Sequence, residues 1–136
     1  MSRMIYINLP VKDLAVATRF YEAIGCEKNE QFSDHQASSM IWTDTITFHL
    51  LVKDYFATFT PKAISDAHAT SEVLLALSHE SRNAVDHTAQ AAAAAGGRVD
   101  IRDPMDMGWL YNRSFEDPDG HVFEAVWVNA DAIPAG

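Results

Sequence analysis

Three side chains that could bind a metal ion or move a proton stand in apolar, strand-like segments of this sequence. Glu124 interrupts one such run, Glu72 opens a second, and His49 lies within a third. A carboxylate is costly to bury among apolar residues unless a cation or hydrogen-bond donors meet it. Glu124 is therefore either a ligand or base in a pocket, or a side chain that is solvated or paired with an arginine such as Arg113. The alternatives are a solvated acid for Glu72 and a hydrogen-bonded core imidazole for His49.

The position of Glu124 follows from the turn that precedes it. The run Asp117-Pro118-Asp119-Gly120 is typical turn chemistry, because proline presets φ and glycine adopts a positive φ without a Cβ clash. Residues 109–116 and 122–129 on either side have strand-like composition, so the sequence predicts a β-hairpin. Glu124 then lies in its second strand.

The predicted elements occur in the same order twice. Asp13 and Ser81 are predicted N-caps of two helices, and glycines follow both helices. The helices span 14–24 and 82–95, and the strands span 4–11, 26–32, 38–43 and 45–51 in the first half and 72–78, 98–102, 109–116 and 122–129 in the second. This repeated strand–helix–strand–strand–strand order indicates a duplicated unit. Alignment of the two first strands places Leu9 over Leu75.

Composition narrows the class of protein. A chain of 136 residues with one cysteine is long enough for a single domain with its own core, and it has no internal disulfide. A net charge of −9 argues against nucleic-acid binding, which needs clustered lysine and arginine. The sequence contains no apolar run long enough for a membrane span and no leader-like start. We therefore expect a cytoplasmic protein that binds neither nucleic acid nor a membrane.

The motif Leu9-x-Val11-x-Asp13-Leu14, followed by Phe20-Tyr21, Gly25 and Asp117-Pro118-Asp119-Gly120-x-x-x-Glu124, resembles the vicinal-oxygen-chelate superfamily. That group includes glyoxalase I, fosfomycin-resistance proteins, bleomycin-binding proteins and extradiol dioxygenases. The resemblance implies an α+β fold in which tandem βαβββ modules form a curved mixed sheet with an open cup. It places module one at about 1–52, a linker or lid at 53–71 and module two at about 72–129, within one domain covering 1–136. It also implies a homodimer.

The resemblance further implies a metal site. It assigns ligand positions to His49, Glu72 and Glu124, while Tyr6 stands where relatives usually have histidine. Strand alternation points all four side chains into the cup. One imidazole and two carboxylates suit Zn, Ni, Mn or Fe, although a site without metal stays open.

Two functions follow as alternatives. The first is a metal-dependent isomerase or lyase that chelates neighbouring oxygens of a small substrate, with Glu124 or Glu72 as the catalytic base. The second is a metal-free protein that binds a small molecule or antibiotic, as bleomycin-resistance proteins do. The predicted substrate-binding residues are Tyr6, Asn8, Trp109, Tyr111 and Arg113. For the last three, ordinary core and salt-bridge packing is the alternative.

Overall fold

The computed structural model describes residues 2–135, and its internal contacts divide the chain into two compact units. The first unit ends at Asp66 and the second begins at Ala67, so the division lies inside the segment predicted as a linker. Each unit has its own mixed β-sheet and its own long helix. The predicted α+β fold class with repeated mixed sheets is confirmed.

The first unit is a four-stranded sheet with one long helix. Its elements are β1 (Ile5–Val11), α1 (Leu14–Ala23), β2 (Glu27–Lys28), β3 (Ala37–Thr43), β4 (Ile46–Val52) and the short α2 (Lys53–Phe56), with 3₁₀ turns at Glu30–Phe32 and Ala57–Phe59. The strand order is β1-β4-β3-β2, where β1 and β4 run parallel and the other pairs are antiparallel. The parallel pair brings the first and last strands of the unit side by side.

Local sequence explains the start and the packing of α1. The Asp13 side chain accepts a hydrogen bond from the backbone N–H of Val16 at 3.1 Å, as predicted for an N-cap. The helix buries Phe20 and Tyr21 completely, and the Tyr21 ring lies 5.6 Å from the ring of Phe48 on β4. One face of the sheet is thus covered by α1, and the opposite face is left for other contacts.

The second unit repeats the first. Its elements are β5 (Leu75–Ser78), α3 (Arg82–Ala94), β6 (Arg98–Val99), β7 (Met105–Asp106), β8 (Leu110–Glu116) and β9 (Val122–Val128), followed by a 3₁₀ turn at Ala130–Ala132. The order is β5-β9-β8-β6, with β5 parallel to β9 and β7 paired on the side of β8. Ser81 caps α3 through the N–H of Ala84 at 3.0 Å. No helix within 2–135 is long and apolar enough to cross a membrane.

The N-cap residues and the buried helix positions determine how the sequences of the two units align. When Asp13 is placed on Ser81, the buried residues 17, 20 and 21 of α1 and the buried C-cap residue 24 coincide with the buried α3 residues 85, 88, 89 and 92. Leu9 then aligns with Leu77, so the predicted match of Leu9 to Leu75 is wrong by two residues. A slip of two keeps strand alternation unchanged, which is why the sequence pattern alone did not reveal it.

Several predicted strands are shorter in the structure. The second module's first strand begins at Leu75 rather than at residue 72, and residues 72–74 precede it as a bend and irregular chain. Segments 26–32 and 98–102 form only the two-residue strands β2 and β6, while β7 was not predicted. Short apolar segments carry weak strand signals, because pairing partners rather than local composition decide where they end.

The predicted hairpin turn is confirmed, and it packs against the start of the second unit. The buried Asp117 carboxylate accepts the N–H groups of Asp119 and His121, each at 2.9 Å. Gly120 has φ +88°, and a Cβ at this position would lie 2.7 Å from the backbone nitrogen of His68. The glycine is therefore required both by backbone conformation and by the close approach of another segment.

Candidate functional site

The face of the first sheet opposite α1 carries an aromatic pair. In the β1–β4 register Asn8 lies beside His49 and Tyr6 beside Thr47, so these side chains share one face. The rings of Tyr6 and His49 lie 5.2 Å apart with planes tilted by 32°. Because alternation sends Phe48 to the α1 side, where it is fully buried, His49 points away from the core.

A pocket of about 450 Å³ opens over this pair. Its apolar wall is made by Met4, Phe32 and Ile41, and its polar groups come from Asn29, Ser39, Thr43, Asp44 and Thr47. Tyr6 and His49 supply two further rings beside that of Phe32. A volume in the range of about 300–1,000 Å³, with a mainly apolar lining and a few polar groups, is typical of small-molecule sites.

The charge of the pocket is set by two side chains. Partial burial lowers the pKa of His49 below its usual value, so its imidazole is neutral at pH 7 and above. A neutral imidazole has one donor and one acceptor nitrogen for a ligand. Asp44, which is exposed in the turn between β3 and β4, contributes a carboxylate at the rim.

Glu124 occupies a different kind of site on the second sheet. One carboxylate oxygen accepts a hydrogen bond from the side-chain amide of Asn112 at 2.7 Å, and the other lies 3.4 Å from the guanidinium of Arg102. The same guanidinium donates to the amide oxygen of Asn112 at 3.0 Å. The three side chains form a closed network in which the charge of Glu124 is balanced by Arg102 rather than by Arg113.

His49 and Glu124 stand at equivalent places in the two units. Across the first sheet the row reads Asn8, His49 and Ser39, and across the second it reads Ala76, Glu124 and Ser114. Ser39, beside His49, and Ser114, beside Glu124, are both buried. The duplicated unit therefore carries an ionisable side chain at the same strand position twice.

The fold agrees with a comparison against known families. The sequence model of the glyoxalase/bleomycin resistance protein/dioxygenase superfamily matches residues 3–125. The chain belongs to this superfamily. No curated protein matches the chain.

Solved structures support the same fold for this superfamily member. A hypothetical protein, SA1046, from S. aureus has 25% identity and a TM-score of 0.78, covering 93% of this chain and 95% of that one. A glyoxalase/bleomycin resistance protein/dioxygenase family enzyme from Burkholderia phytofirmans has 20% identity and a TM-score of 0.75, covering 93% and 99%. The fosfomycin resistance protein FosX from Mesorhizobium loti has 15% identity and a TM-score of 0.69, covering 96% of each chain. At such identities the likeness concerns the fold.

Members of this superfamily often use a divalent metal ion. In this chain, the side chains at the predicted ligand positions are poorly arranged to bind one. Alignment of the two caps places Tyr6 of β1 opposite Leu74, which precedes β5, so neither unit has a histidine or a carboxylate at that position. Glu72 is exposed and lies outside β5, and Glu124 already meets a guanidinium. Within residues 2–135 no group of three or more His, Cys, Asp or Glu side chains is arranged to hold a metal ion. The ligand roles of His49, Glu72 and Glu124 stay predictions.

Two of the predicted substrate-binding residues lie on the helix side of the second sheet. Tyr111 donates a hydrogen bond to Asp86 of α3 at 2.7 Å, which raises the pKa of the tyrosine, and Arg113 meets Asp86 at 3.0 Å and Asp100 at 2.9 Å. The bonds to the acids, above all Asp100, raise the pKa of Arg113. Trp109 is half-buried just before β8. Tyr111 is thus hydrogen-bonded and Arg113 ion-paired in this superfamily member, and the substrate-binding roles of both residues stay predictions.

Sequence reasoning missed the two residues that contact Glu124. The sequence could have indicated Asn112, because this residue shares the alternation phase of Ser114, the cross-strand neighbour of Glu124. No local pattern indicated Arg102, since it lies in an irregular segment between β6 and β7. The pocket residues Phe32 and Asp44 were also missed, because turns and 3₁₀ segments place them.

Proposed function

We propose that this chain is a small-molecule-binding protein that works without a metal ion and holds its ligand in the pocket on the first sheet. The observation that carries the proposal is the Tyr6–His49 pair beneath a cavity of about 450 Å³. Tyr6 is 52% exposed, so a large part of its surface is open to a ligand. Aromatic side chains with a few fixed polar groups supply both burial and orientation for a small molecule.

The environment of Glu124 supports the metal-free form of this proposal. A carboxylate that ligates a divalent ion must direct at least one oxygen at the ion, whereas Glu124 directs one oxygen at Arg102 and the other at Asn112. The Glu124 side chain is 16% exposed and that of Arg102 is 38% exposed, so the pairing is partly shielded from water. A metal ion at Glu124 would have to compete with the guanidinium of Arg102 for this carboxylate.

A second candidate is the metal-dependent isomerase or lyase, and one observation favours it. His49 and Glu124 occupy equivalent rows of the two sheets, as expected if a duplicated unit retains one ligand position in each half. In that case Glu124 or Glu72 would serve as the base that moves a proton on the substrate carbon. Chelation of two neighbouring substrate oxygens would then require an added divalent metal.

The two candidates are separated by ligand-induced thermal stabilisation with and without EDTA. We expect members of a metabolite and antibiotic panel to raise the melting temperature equally in both conditions, because a ligand present at about 100 times its Kd stabilises by about 2.7 kcal/mol regardless of metal. Stabilisation that EDTA abolishes and Mn²⁺, Ni²⁺ or Zn²⁺ restores would support the enzyme instead. Metal analysis of the dialysed protein provides an independent readout.

A pair of variants tests where the ligand binds. Tyr6→Ala removes a pocket ring, and we expect it to reduce or abolish the ligand-induced shift. Tyr55→Ala is the matched control, because Tyr55 packs on Phe59 at 5.0 Å within α2 and its 3₁₀ extension and is not part of the pocket lining. Equal loss in both variants would contradict the proposed location.

A further inference from the structure

The formal charge in the lining of the pocket on the first sheet is negative. Among the described residues that line it, Asp44 carries the only formal charge once His49 is neutral, since burial lowers the pKa of that imidazole. The remaining lining groups are apolar side chains, hydroxyls and the Asn29 amide. An anionic ligand would find no cation here, whereas a cationic ligand would find a carboxylate.

The rings add a shape requirement. Tyr6 and His49 are tilted by 32° with centroids 5.2 Å apart, and Tyr6 is half exposed. A flat ligand ring can pack on such a surface by offset stacking, and a cation near the face of a tyrosine ring gains additional attraction. The overall charge of −9 also favours the approach of cations over anions.

We propose that the pocket selects small ligands that combine a flat aromatic ring with a positively charged group, with the ring against Tyr6 and His49 and the cation toward Asp44. This inference rests on the proposed function, because it takes this pocket as the ligand site. It goes beyond that function by naming the ligand class and the residue that selects its charge. Asp44 is the selecting residue, and Tyr6 and His49 contact any ring that enters.

Three indole compounds that differ in charge test the inference directly. Tryptamine is cationic, tryptophol is neutral and indole-3-acetate is anionic, while the ring is the same. Each is titrated into the ¹⁵N-labelled protein, and the amide shifts of Thr47 and His49 report on pocket occupancy. We expect tryptamine to bind about tenfold more tightly than indole-3-acetate, with tryptophol between them, as one partly solvated charge contact allows.

Charge-matched variants assign the selectivity to one residue. We expect Asp44→Asn to weaken tryptamine binding by about threefold and to leave tryptophol unchanged. Asp54→Asn is the control, because it removes the same charge from exposed α2, outside the pocket lining. Far-UV circular dichroism confirms that both variants are folded.

The outcomes separate this inference from the proposed function. Equal or tighter binding of indole-3-acetate, or tryptamine affinity that Asp44→Asn leaves unchanged, overturns the charge selection while the pocket remains a ligand site. If no indole compound shifts the pocket amides, the ring preference is overturned. The proposed function itself fails if, in addition, no panel compound stabilises the protein in a manner sensitive to Tyr6→Ala.

Discussion

His49 is held as a neutral base beside an aromatic ring, and this state decides what it can offer a ligand. Partial burial lowers its pKa, because the charged imidazolium loses hydration that the surrounding residues do not replace. The neighbouring Tyr6 ring covers one side of it. At neutral pH the side chain therefore acts as a neutral hydrogen-bonding group, and protonation would oppose the folded state.

The sign of the pH effect follows from linkage. A base whose pKa is lower in the folded than in the unfolded state binds fewer protons when folded, so its contribution to stability is present above the unfolded pKa near 6.5 and is lost as the pH falls toward the folded value. We expect the free energy of unfolding of the native protein to decrease more between pH 7.5 and pH 5 than that of His49→Gln, as measured by urea denaturation. His35→Gln, at an exposed loop position, is the control that removes a histidine elsewhere. An unchanged slope in His49→Gln would contradict this account.

At the scale of elements, the turn before β9 determines where Glu124 lies. The Asp117 carboxylate holds two backbone N–H groups, and Gly120 allows residues 67 and 68 to approach within van der Waals distance. The β8–β9 register that follows sets Glu124 opposite Ser114 and Phe123 opposite Phe115, whose rings stack at 5.2 Å. A change in this turn would therefore affect both the core and the Glu124 network.

Substitutions at Gly96 and Gly120 allow the cost of backbone strain to be measured separately from the cost of a steric clash. Gly96 and Gly120 both have positive φ, +96° and +88°, but a Cβ would meet nothing within 4 Å at Gly96 and would meet the His68 backbone at 2.7 Å at Gly120. We expect Gly96→Ala to cost about 1–2 kcal/mol of unfolding free energy from the left-handed conformation alone. Gly120→Ala should cost at least about 1 kcal/mol more, since backbone atoms must shift. Equal losses in chemical denaturation would show that the close approach does not matter.

At the scale of the whole molecule, exposed apolar residues lie at or just before the start of the first strand of each unit, β1 and β5. Ile5 is 52% exposed on β1, and Val73 and Leu74, just before β5, are each 58% exposed. Both β1 and β5 are edge strands of their sheets. Apolar groups beside unpaired strand edges favour association, because they can bury area and complete a sheet with a partner.

A homodimer is therefore the assembly we expect, as the family resemblance also implies. Sedimentation equilibrium at about 10 to 100 µM should give a mass near twice that of the chain, and Ile5→Lys should shift the equilibrium toward monomer if the β1 edge is part of the contact. Lys53→Glu on exposed α2 serves as a charge-changing control. A monomeric mass across the whole concentration range would contradict the expectation.

Local chemistry determined much of this protein from the sequence alone. The caps Asp13 and Ser81, the turn before β9 and the alternation along β1, β4 and β9 are short-range signals, so they predicted the order of elements and the duplicated fold. Only the tertiary structure decided that Arg102 rather than Arg113 meets Glu124, since an irregular segment brings Arg102 to that face. It also decided that Glu72 lies outside its strand and that Tyr6 pairs with His49 under a pocket. Such contacts depend on strand register and loop path, which no local pattern encodes.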